Sequence, residues 1–263
     1  MSGYLAVLRG GLMAGMAYRA GFFFIILGNV LYLTVTYFLW KSIYQNTPVI
    51  HGLTFNDAYL YAALGSTVFV LLKTYADWQI SHDIADGTVS IYLTKPVDYQ
   101  LYSLFTSLGD TVMNGVVVAL PTLFILVVVF KVSFVLGPGL LLFPISLLLA
   151  FLLSFCFDYI TGLMAFYTES IWGISTSKEI LISIMAGALV PLQFYPEAIQ
   201  KVLQVLPFQA IYYTPLMMVT RPNQDWGALL TSLGVQVFWV VVLFISSRLF
   251  YHRAIQVLRV AGG

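Results

Sequence analysis

Residues 140–163 read LLLFPISLLLAFLLSFCFDYITGL, and within this stretch only Asp158 is charged. A helix of about 20 mostly apolar residues is long enough to cross the hydrocarbon core of a membrane. The apolar residues are continuous here, whereas the strands of a membrane β-barrel alternate apolar and polar residues. Because backbone groups in lipid must be hydrogen-bonded internally, the stretch from Leu140 to Leu163 predicts a transmembrane helix.

The rest of the chain repeats this pattern. Of 263 residues, 60% are hydrophobic and only 9% are charged, whereas about a quarter of the residues in soluble domains are charged. We therefore predict an all-α polytopic membrane protein with six transmembrane helices in a single membrane domain over residues 1–263. The other five predicted spans are Gly21 to Trp40, Ala58 to Ala76, Leu108 to Phe130, Ser177 to Gln193 and Ala228 to Phe250.

Composition also excludes several classes of function. A net charge of +1 argues against nucleic-acid binding, because phosphate binding needs clustered Lys and Arg. The single cysteine, Cys156, excludes an internal disulfide and a cysteine metal cluster, and the three histidines are not at ligand spacing. The phosphate-binding motif GxxxxGK[ST] is absent, so any energy from ATP must come from a partner. We predict no catalytic residue, no metal site and no cofactor on this chain.

Three segments differ from the predicted spans. Residues 1–20 have apolar residues at helical spacing together with two arginines, which is typical of an interfacial helix. Residues 79–107 are predicted to be a long cytoplasmic loop. Residues 194–219 are apolar but interrupted by prolines, each of which removes a helix hydrogen-bond donor. They predict a re-entrant hairpin in the outer leaflet between the fifth and sixth spans, broken at Pro196, Pro207 and Pro215.

The positive charges in the loops predict the orientation. With a cytoplasmic N-terminus, eight of the 12 Lys and Arg residues lie on the inner side, if Lys73 and Lys178 are counted there. Inner loops carry the excess of Lys and Arg in membrane proteins. Six spans return the chain to the inner side, so both termini are predicted to be cytoplasmic.

Polar residues on the first two spans form helical stripes. Asn29, Tyr32 and Thr36 are spaced by three and four residues, and Tyr59 and Ser66 by seven, which places each set on one helical face. Such faces suit a route for an amphiphilic solute, with aromatic rings available to a cation. The same residues also suit hydrogen bonds to neighbouring helices, and both interpretations stay open here.

Charges inside predicted spans are candidates for function. Asp158 lies near the inner end of the fourth span, where it is either a cation-attracting or gating residue of the route or a solvated or helix-paired carboxylate. Asp110 is predicted at the cytoplasmic start of the third span, where a carboxylate stabilises the positive end of the helix dipole.

The order of segments, taken with two short motifs, resembles the type-2 ABC transporter permeases. Ile84 to Pro96, IADGTVSIYLTKP, is similar to the inner-loop pattern of that family, a Gly followed by Leu and a basic residue next to Pro. Met185 to Pro196, MAGALVPLQFYP, and the later sequence Leu206-Pro207-Phe208 are similar to its fifth span and outer hairpin. The most similar branch is the six-helix bacterial permeases without a fused ATPase, some of which are associated with export of viologens and other cationic compounds.

This resemblance implies a permease subunit of an ATP-driven exporter in the bacterial inner membrane. The substrate would be hydrophobic or amphiphilic, and it would be cationic if it resembles the compounds exported by that branch. ATP and Mg²⁺ would bind to a cytoplasmic ATPase dimer, and a second permease, identical or different, would complete the route through the lipid bilayer. The residues implied in coupling to the ATPase are Asp83, Asp86, Gly87, Lys95 and Pro96, with a second contact around Glu169 to Glu179, and those implied in the outer hairpin are Pro191, Pro196, Pro207 and Phe208.

Two other classes of function remain as alternatives. An ion-coupled carrier needs titratable or sodium-binding groups near the middle of the membrane and often has broken helices at matching places in two halves. The sequence contains one broken region and no pair of carboxylates near the middle of the predicted spans. A membrane scaffold protein would show no dependence on ATP. Association with a soluble ATPase separates both alternatives from the permease.

Overall fold

The computed structural model describes residues 19–50, 52–132, 136–188, 191–221 and 223–257. The predicted interfacial helix lies outside these residues except for its last two positions. The described part is almost entirely helical, apart from a two-residue antiparallel pair of strands, β1 (Val49–Ile50) and β2 (Leu53–Thr54). The helices are α1 (Arg19–Ile43), α2 (Phe55–Leu72), α3 (Ala76–Ala85), α4 (Val89–Thr94), α5 (Tyr99–Asn114), α6 (Leu120–Val128), α7 (Pro138–Leu163), α8 (Trp172–Met185), α9 (Glu197–Val205), α10 (Tyr213–Thr220) and α11 (Trp226–Ala254).

Long apolar helices confirm the prediction of an all-α polytopic membrane protein. Within the described residues, 5 helical stretches are long and apolar enough to cross a membrane. They correspond to the first, second, third, fourth and sixth predicted spans, and are Phe23–Ile43, Phe55–Ala85, Tyr99–Val128, Pro138–Phe166 and Trp226–Val257.

The fifth predicted span differs from the observed helix. We predicted a helix from Ser177 to Gln193, but α8 starts at Trp172 and ends at Met185, a length of 14 residues or about 21 Å. The chain then turns at Gly187, whose φ of 69° lies in the left-handed region that glycine adopts without steric cost. The count of six spans therefore remains a prediction.

The second span is interrupted near its end. Leu72 is the last residue of α2, Lys73 is extended with ψ 103°, and Tyr75 has a left-handed φ of 52° before α3 begins at Ala76. No glycine or proline marks this break in the sequence. As a result α2 and α3 are separate helices, and the prediction of a continuous helix from Ala58 to Ala76 was wrong at its end.

The third span is longer than predicted and contains a wide turn. It starts at Tyr99 rather than Leu108, because Asp98 caps α5 by accepting a 3.0 Å hydrogen bond from the backbone N–H of Leu101. Asp110 therefore lies inside α5 and not at the start of a helix, so the helix-dipole explanation for it was wrong. A π-helical turn, Gly115–Ala119, precedes Pro121, which has no N–H to donate and whose ring a regular turn would not accommodate.

Helix α7 lies at the centre of the packing, against α3, α10 and α11. Gly162 permits the closest of these approaches, since a Cβ atom added there would lie 2.8 Å from Cβ of Ile80 and 3.0 Å from the carbonyl oxygen of Asp77. The outer face of α1, including Phe23, Phe24 and Val35, is exposed, as expected of a surface in contact with lipid.

The segment after α8 is broken as its prolines predicted. A 3₁₀ turn (Leu192–Phe194), α9, a second 3₁₀ turn (Phe208–Ala210) and α10 follow one another. Side chains satisfy carbonyl groups at these breaks: Trp239 Nε1 donates to Val205 O at 3.1 Å, and Gln236 Nε2 donates to Ala210 O at 2.7 Å. Irregular backbone is tolerated at membrane depth only when protein satisfies it in this way, and the re-entrant position of this segment remains a prediction.

Candidate functional site

The predicted loop 79–107 is a helix–turn–helix, which we call the α3–α4 segment (residues 76–98). Helix α3 ends at Ala85, a turn follows, α4 runs from Val89, and an extended stretch leads to Asp98 and α5. Gly87 lies in the turn with a φ of 71°. An added Cβ atom at Gly87 would meet nothing within 4 Å, so the backbone conformation, and not crowding, requires glycine here.

The five residues that the resemblance implied in coupling all lie on this segment. Asp86, Gly87, Lys95 and Pro96 are exposed and leave the turn and the end of α4 accessible. Asp83 differs from them, because it is half-buried and accepts a 2.8 Å hydrogen bond from the Tyr99 hydroxyl. Four of these residues are thus accessible at the surface, while Asp83 stabilises the segment from inside.

Polar contacts fix the end of the α3–α4 segment to α11. Asp98 forms an ion pair with Arg248, and Gln100 Nε2 donates a 2.8 Å hydrogen bond to Ser247 Oγ. Partial burial raises the pKa of the Asp98 carboxyl, but the hydrogen bonds from Arg248 and from the N–H of Leu101 outweigh this effect, so that the pKa lies below its usual value. A displacement of the segment must therefore move α5 and α11 or break this ion pair.

A buried group of charges, here called the ion cluster (Asp77, Asp158 and Lys178), joins three helices. Lys178 of α8 places its Nζ 2.7 Å from Oδ2 of Asp77 at the start of α3, and it also contacts Oδ1 of Asp158 on α7. Hydroxyls complete the cluster: Ser175 Oγ donates to Asp77 Oδ2 at 2.5 Å, and Thr74 Oγ1 donates to Asp158. All three charged side chains are largely buried: Lys178 is 11% exposed, Asp77 3% and Asp158 14%. Buried charges persist when they are paired and hydrogen-bonded, so Asp158 is a helix-paired carboxylate.

Sequence reasoning missed Asp77 and Lys178 in this role. We counted Lys178 as a loop cation for topology and did not single out Asp77. The signal that points to them is Asp158 itself, because a carboxylate within an apolar helix needs a partner of opposite charge. The sequence does not identify the lysine that supplies this opposite charge, because Lys178 is 20 residues away from Asp158 along the chain and only the fold brings them together.

A second ion pair lies beside the helix break. Lys73 Nζ is 3.0 Å from Oε1 of Glu179, and it also lies 4.9 Å from the ring centre of Tyr75 and 5.8 Å from that of Phe69. The side chains of Lys73 and Glu179 are 29 and 39% exposed, so solvent screens the attraction between them more than it screens the charges of the ion cluster. The pair nevertheless attaches the break after α2 to the middle of α8.

Some of the residues predicted for the route line one groove between α1, α2 and α8. The groove has a volume of about 380 Å³, and Asn29, Tyr32 and Ser66 line it together with Phe69 and Ser183. Thr36 and Tyr59 are buried elsewhere, where the Tyr59 ring lies 5.3 Å from that of Tyr37. Asp158 belongs to the ion cluster.

Asn29 is also the centre of a polar network between helices. Its Nδ2 donates to Thr122 Oγ1 of α6 at 2.9 Å, and its Oδ1 accepts a 3.2 Å hydrogen bond from Ser66 Oγ of α2. Asn29 and Ser66 therefore form hydrogen bonds between helices, one of the two interpretations of the polar stripes. Both side chains also line the groove, as the other interpretation expects.

The residues implied in the outer hairpin lie at its turns. Pro191 and Pro207 each precede a 3₁₀ turn and Pro196 precedes α9, positions at which the missing N–H costs nothing. The Phe208 ring stacks on Phe157 of α7, with ring centres 5.6 Å apart. This ring contact positions the broken segment after α8 against α7.

Comparison with known proteins assigns this arrangement to a family. The sequence model of a family described as ABC-2 family transporter protein matches residues 30–262. No curated protein matches the chain. Members of this family are membrane transport subunits that normally work with an ATPase partner. Because the match includes most of α1 and every helix that follows it, the chain belongs to the ABC-2 family and is a membrane permease of an ABC transporter.

Proposed function

We propose that this permease is the membrane subunit of an ATP-driven exporter that takes its energy from a separate cytoplasmic ATPase dimer. The observation that supports this proposal is the α3–α4 segment, which is exposed at its turn and fixed to the membrane helices at both ends. A docking element needs both properties, because a partner must reach it and its displacement must reach the spans. ATP and Mg²⁺ bind to the ATPase partner, and this chain supplies the coupling surface.

The exposed turn is the proposed contact with the ATPase. Asp86, Gly87, Lys95 and Pro96 offer both signs of charge and a fixed backbone shape. ATPase closure would favour one position of the segment over another, and a difference in contact free energy of this kind is what shifts packed helices between two arrangements. The turn between α7 and α8, which includes Glu169, is the proposed second contact.

We propose that the groove between α1, α2 and α8 is the part of the substrate route that this chain contributes. Its lining combines the Tyr32 and Phe69 rings with the polar groups of Asn29, Ser66 and Ser183, and this combination suits an amphiphilic molecule whose cationic part contacts aromatic faces. The groove opens on the surface of this chain, so a second permease, identical or different, would close the other side.

The orientation follows from this assignment. The α3–α4 segment must face the cytoplasm if the ATPase docks there, which places the β-strands and the outer hairpin on the opposite side. Arg221 Nη2 donates a 3.1 Å hydrogen bond to Gly52 O between these two outer elements. We propose the bacterial inner membrane, with both termini cytoplasmic.

Reversal of one exposed charge tests the proposal. Lys95→Glu changes the α3–α4 segment, and Lys201→Glu makes the same change on α9 at the opposite end, where Lys201 is also exposed. In proteoliposomes with the cognate ATPase, Lys95→Glu should lower ATP-dependent export of amphiphilic cations and the amount of ATPase that co-purifies, whereas Lys201→Glu should change neither. Equal behaviour of the two variants, or wild-type export without ATP, would overturn the proposal.

A second candidate function is an ion-coupled carrier, and the two buried carboxylates of the ion cluster are the observation that favours it. The same proteoliposomes separate the two. A carrier would transport under a proton or sodium gradient without the ATPase, and a scaffold protein would transport under neither condition.

A further inference from the structure

The break between α2 and α3 interrupts the most direct path from the α3–α4 segment to the groove. Helix α2 supplies Gly65, Ser66 and Phe69 to the groove, but Lys73 is extended and Tyr75 is left-handed at its end. A helix transmits displacement along its axis through its ladder of backbone hydrogen bonds, and that ladder stops here. Displacement of α3 therefore does not reach the groove along one continuous helix.

Helix α8 provides that connection. It contributes Ser183 to the groove, and one turn or more earlier it contributes Ser175 and Lys178, both of which bind Asp77 of α3. Asp77 is the only member of the ion cluster on α3, so these contacts attach the segment to α8 by side chains at 2.5 and 2.7 Å. Asp158, by contrast, attaches Lys178 to α7 and not to α3.

We propose that Asp77 is a positioning residue that transmits displacement of the α3–α4 segment through Lys178 and Ser175 to α8, and from α8 to the groove. This inference rests on the proposed function. Its chemical basis is the difference between the two carboxylates: both pair with Lys178, but only the Asp77 pair crosses from the coupling segment to a helix that lines the groove.

Two equivalent substitutions distinguish a role of Asp77 in transmitting displacement from a role in the stability of the protein. Asp77→Asn removes the α3–α8 ion pair and leaves Lys178 paired with Asp158, whereas Asp158→Asn leaves Lys178 paired with Asp77. Each variant therefore retains one buried ion pair, so neither leaves Lys178 without a counter-ion. A merely structural cluster predicts similar consequences for both.

The measurement is the amount of substrate exported per ATP hydrolysed by the complete transporter in proteoliposomes. For Asp77→Asn we expect a decrease of more than about twofold and up to about 30-fold, the range by which residues along a coupling network alter coupling, with the ATPase still bound and hydrolysing ATP. For Asp158→Asn we expect a change of less than about twofold. Equal decreases in the two variants, or an unchanged ratio in Asp77→Asn, would overturn the inference.

A milder variant tests the inference if the Asp77→Asn variant does not fold. Ser175→Ala removes one hydrogen bond between α8 and Asp77 without removing a charge, and it should lower the exported amount per ATP while assembly stays intact. An unchanged ratio in Ser175→Ala would then overturn the inference. The proposed function fails in a different way, because in that case the wild-type complex itself shows no ATP-dependent export.

Discussion

The hydroxyl of Tyr61 donates a 2.7 Å hydrogen bond to the carbonyl oxygen of Gly187, 126 residues further along the chain. Both groups are buried, and the bond connects α2 to the turn that ends α8. Loss of one partner from such a bond leaves the other unsatisfied. The turn after α8 therefore depends on a side chain from a distant span.

Tyr61→Phe should lower the free energy of unfolding by about 1–2 kcal/mol, because the Gly187 carbonyl loses its donor. Tyr159→Phe is the matched control, since the Tyr159 hydroxyl is also buried but has no hydrogen-bond partner in the described part of the chain. Thermal unfolding in detergent measures both. Equal stability of the two variants would contradict a structural role for the Tyr61 bond.

Gly162→Ala should destabilise the protein by about 1–3 kcal/mol, the usual cost of overpacking, because its Cβ would lie 2.8 Å from Cβ of Ile80. Gly234→Ala makes the same change in α11, where nothing lies within 4 Å of the added atom, and a glycine-to-alanine change inside an open helix is favourable by about 0.5–1 kcal/mol. Opposite shifts in the unfolding temperature are expected. Shifts of the same sign would argue against close packing of α3 on α7.

Gly87→Ala should weaken coupling more than stability, because a left-handed φ costs about 1–2 kcal/mol in a residue with a Cβ atom and the turn would relax. Gly87→Asn should be milder, since asparagine tolerates this conformation. The control is Gly234→Ala, at an exposed glycine of α11 without a positive φ, with open space around it and outside both proposed contacts with the ATPase. ATPase co-purification and export should fall in the order wild type, Asn, Ala, and a reversed order would exclude a role for the shape of the turn.

Stability should fall in acid partly through Asp98. Its folded-state pKa is below the unfolded value, so the carboxylate stabilises the fold above a pH of about 4, the ordinary value, and this contribution is lost as the pH falls through the folded pKa. Asp98→Asn retains a side chain that caps α5 but removes the titrating group. Its unfolding free energy should therefore change less between pH 5 and 2 than that of wild type, and identical slopes would contradict the assignment.

Cysteines introduced at exposed positions test the orientation. Thr47 and Asn223 are exposed on the proposed outer side and Lys95 on the proposed inner side, while the native Cys156 is fully buried and should give little background. An impermeant thiol reagent applied to intact cells should label Thr47→Cys and Asn223→Cys and not Lys95→Cys. Labelling at position 95 would reverse the proposed topology.

Sequence reasoning succeeded where a local pattern determines the structure. Helix α7 starts at Pro138 and ends at Leu163, close to the predicted span, because a continuous apolar stretch in lipid has only the helix to satisfy its backbone. The break at Tyr75 escaped prediction because no glycine or proline accompanies it. Its geometry instead depends on tertiary contacts.

The candidate site was predictable only in part for a related reason. Gly87 and Lys95 could be singled out because the stretch from Ile84 to Pro96 resembles the inner-loop pattern of the family. Asp77 and Lys178 could not, since the significance of each depends on the other and they are 101 residues apart. Asp158 carried the signal that a partner exists, but the identity of that partner required the fold.

The network around Asn29 determines the rotational setting of the first span. Substitutions on the exposed face of α1 leave Asn29 directed toward Thr122 and Ser66. A single inserted residue before Asn29, however, rotates the two parts of the helix by about 100° relative to each other. Either the amide then faces lipid, or the lipid-facing Phe23 and Phe24 turn toward protein. Deletions and insertions in α1 should therefore be tolerated far less than point changes, and alterations of its length should be confined to its ends.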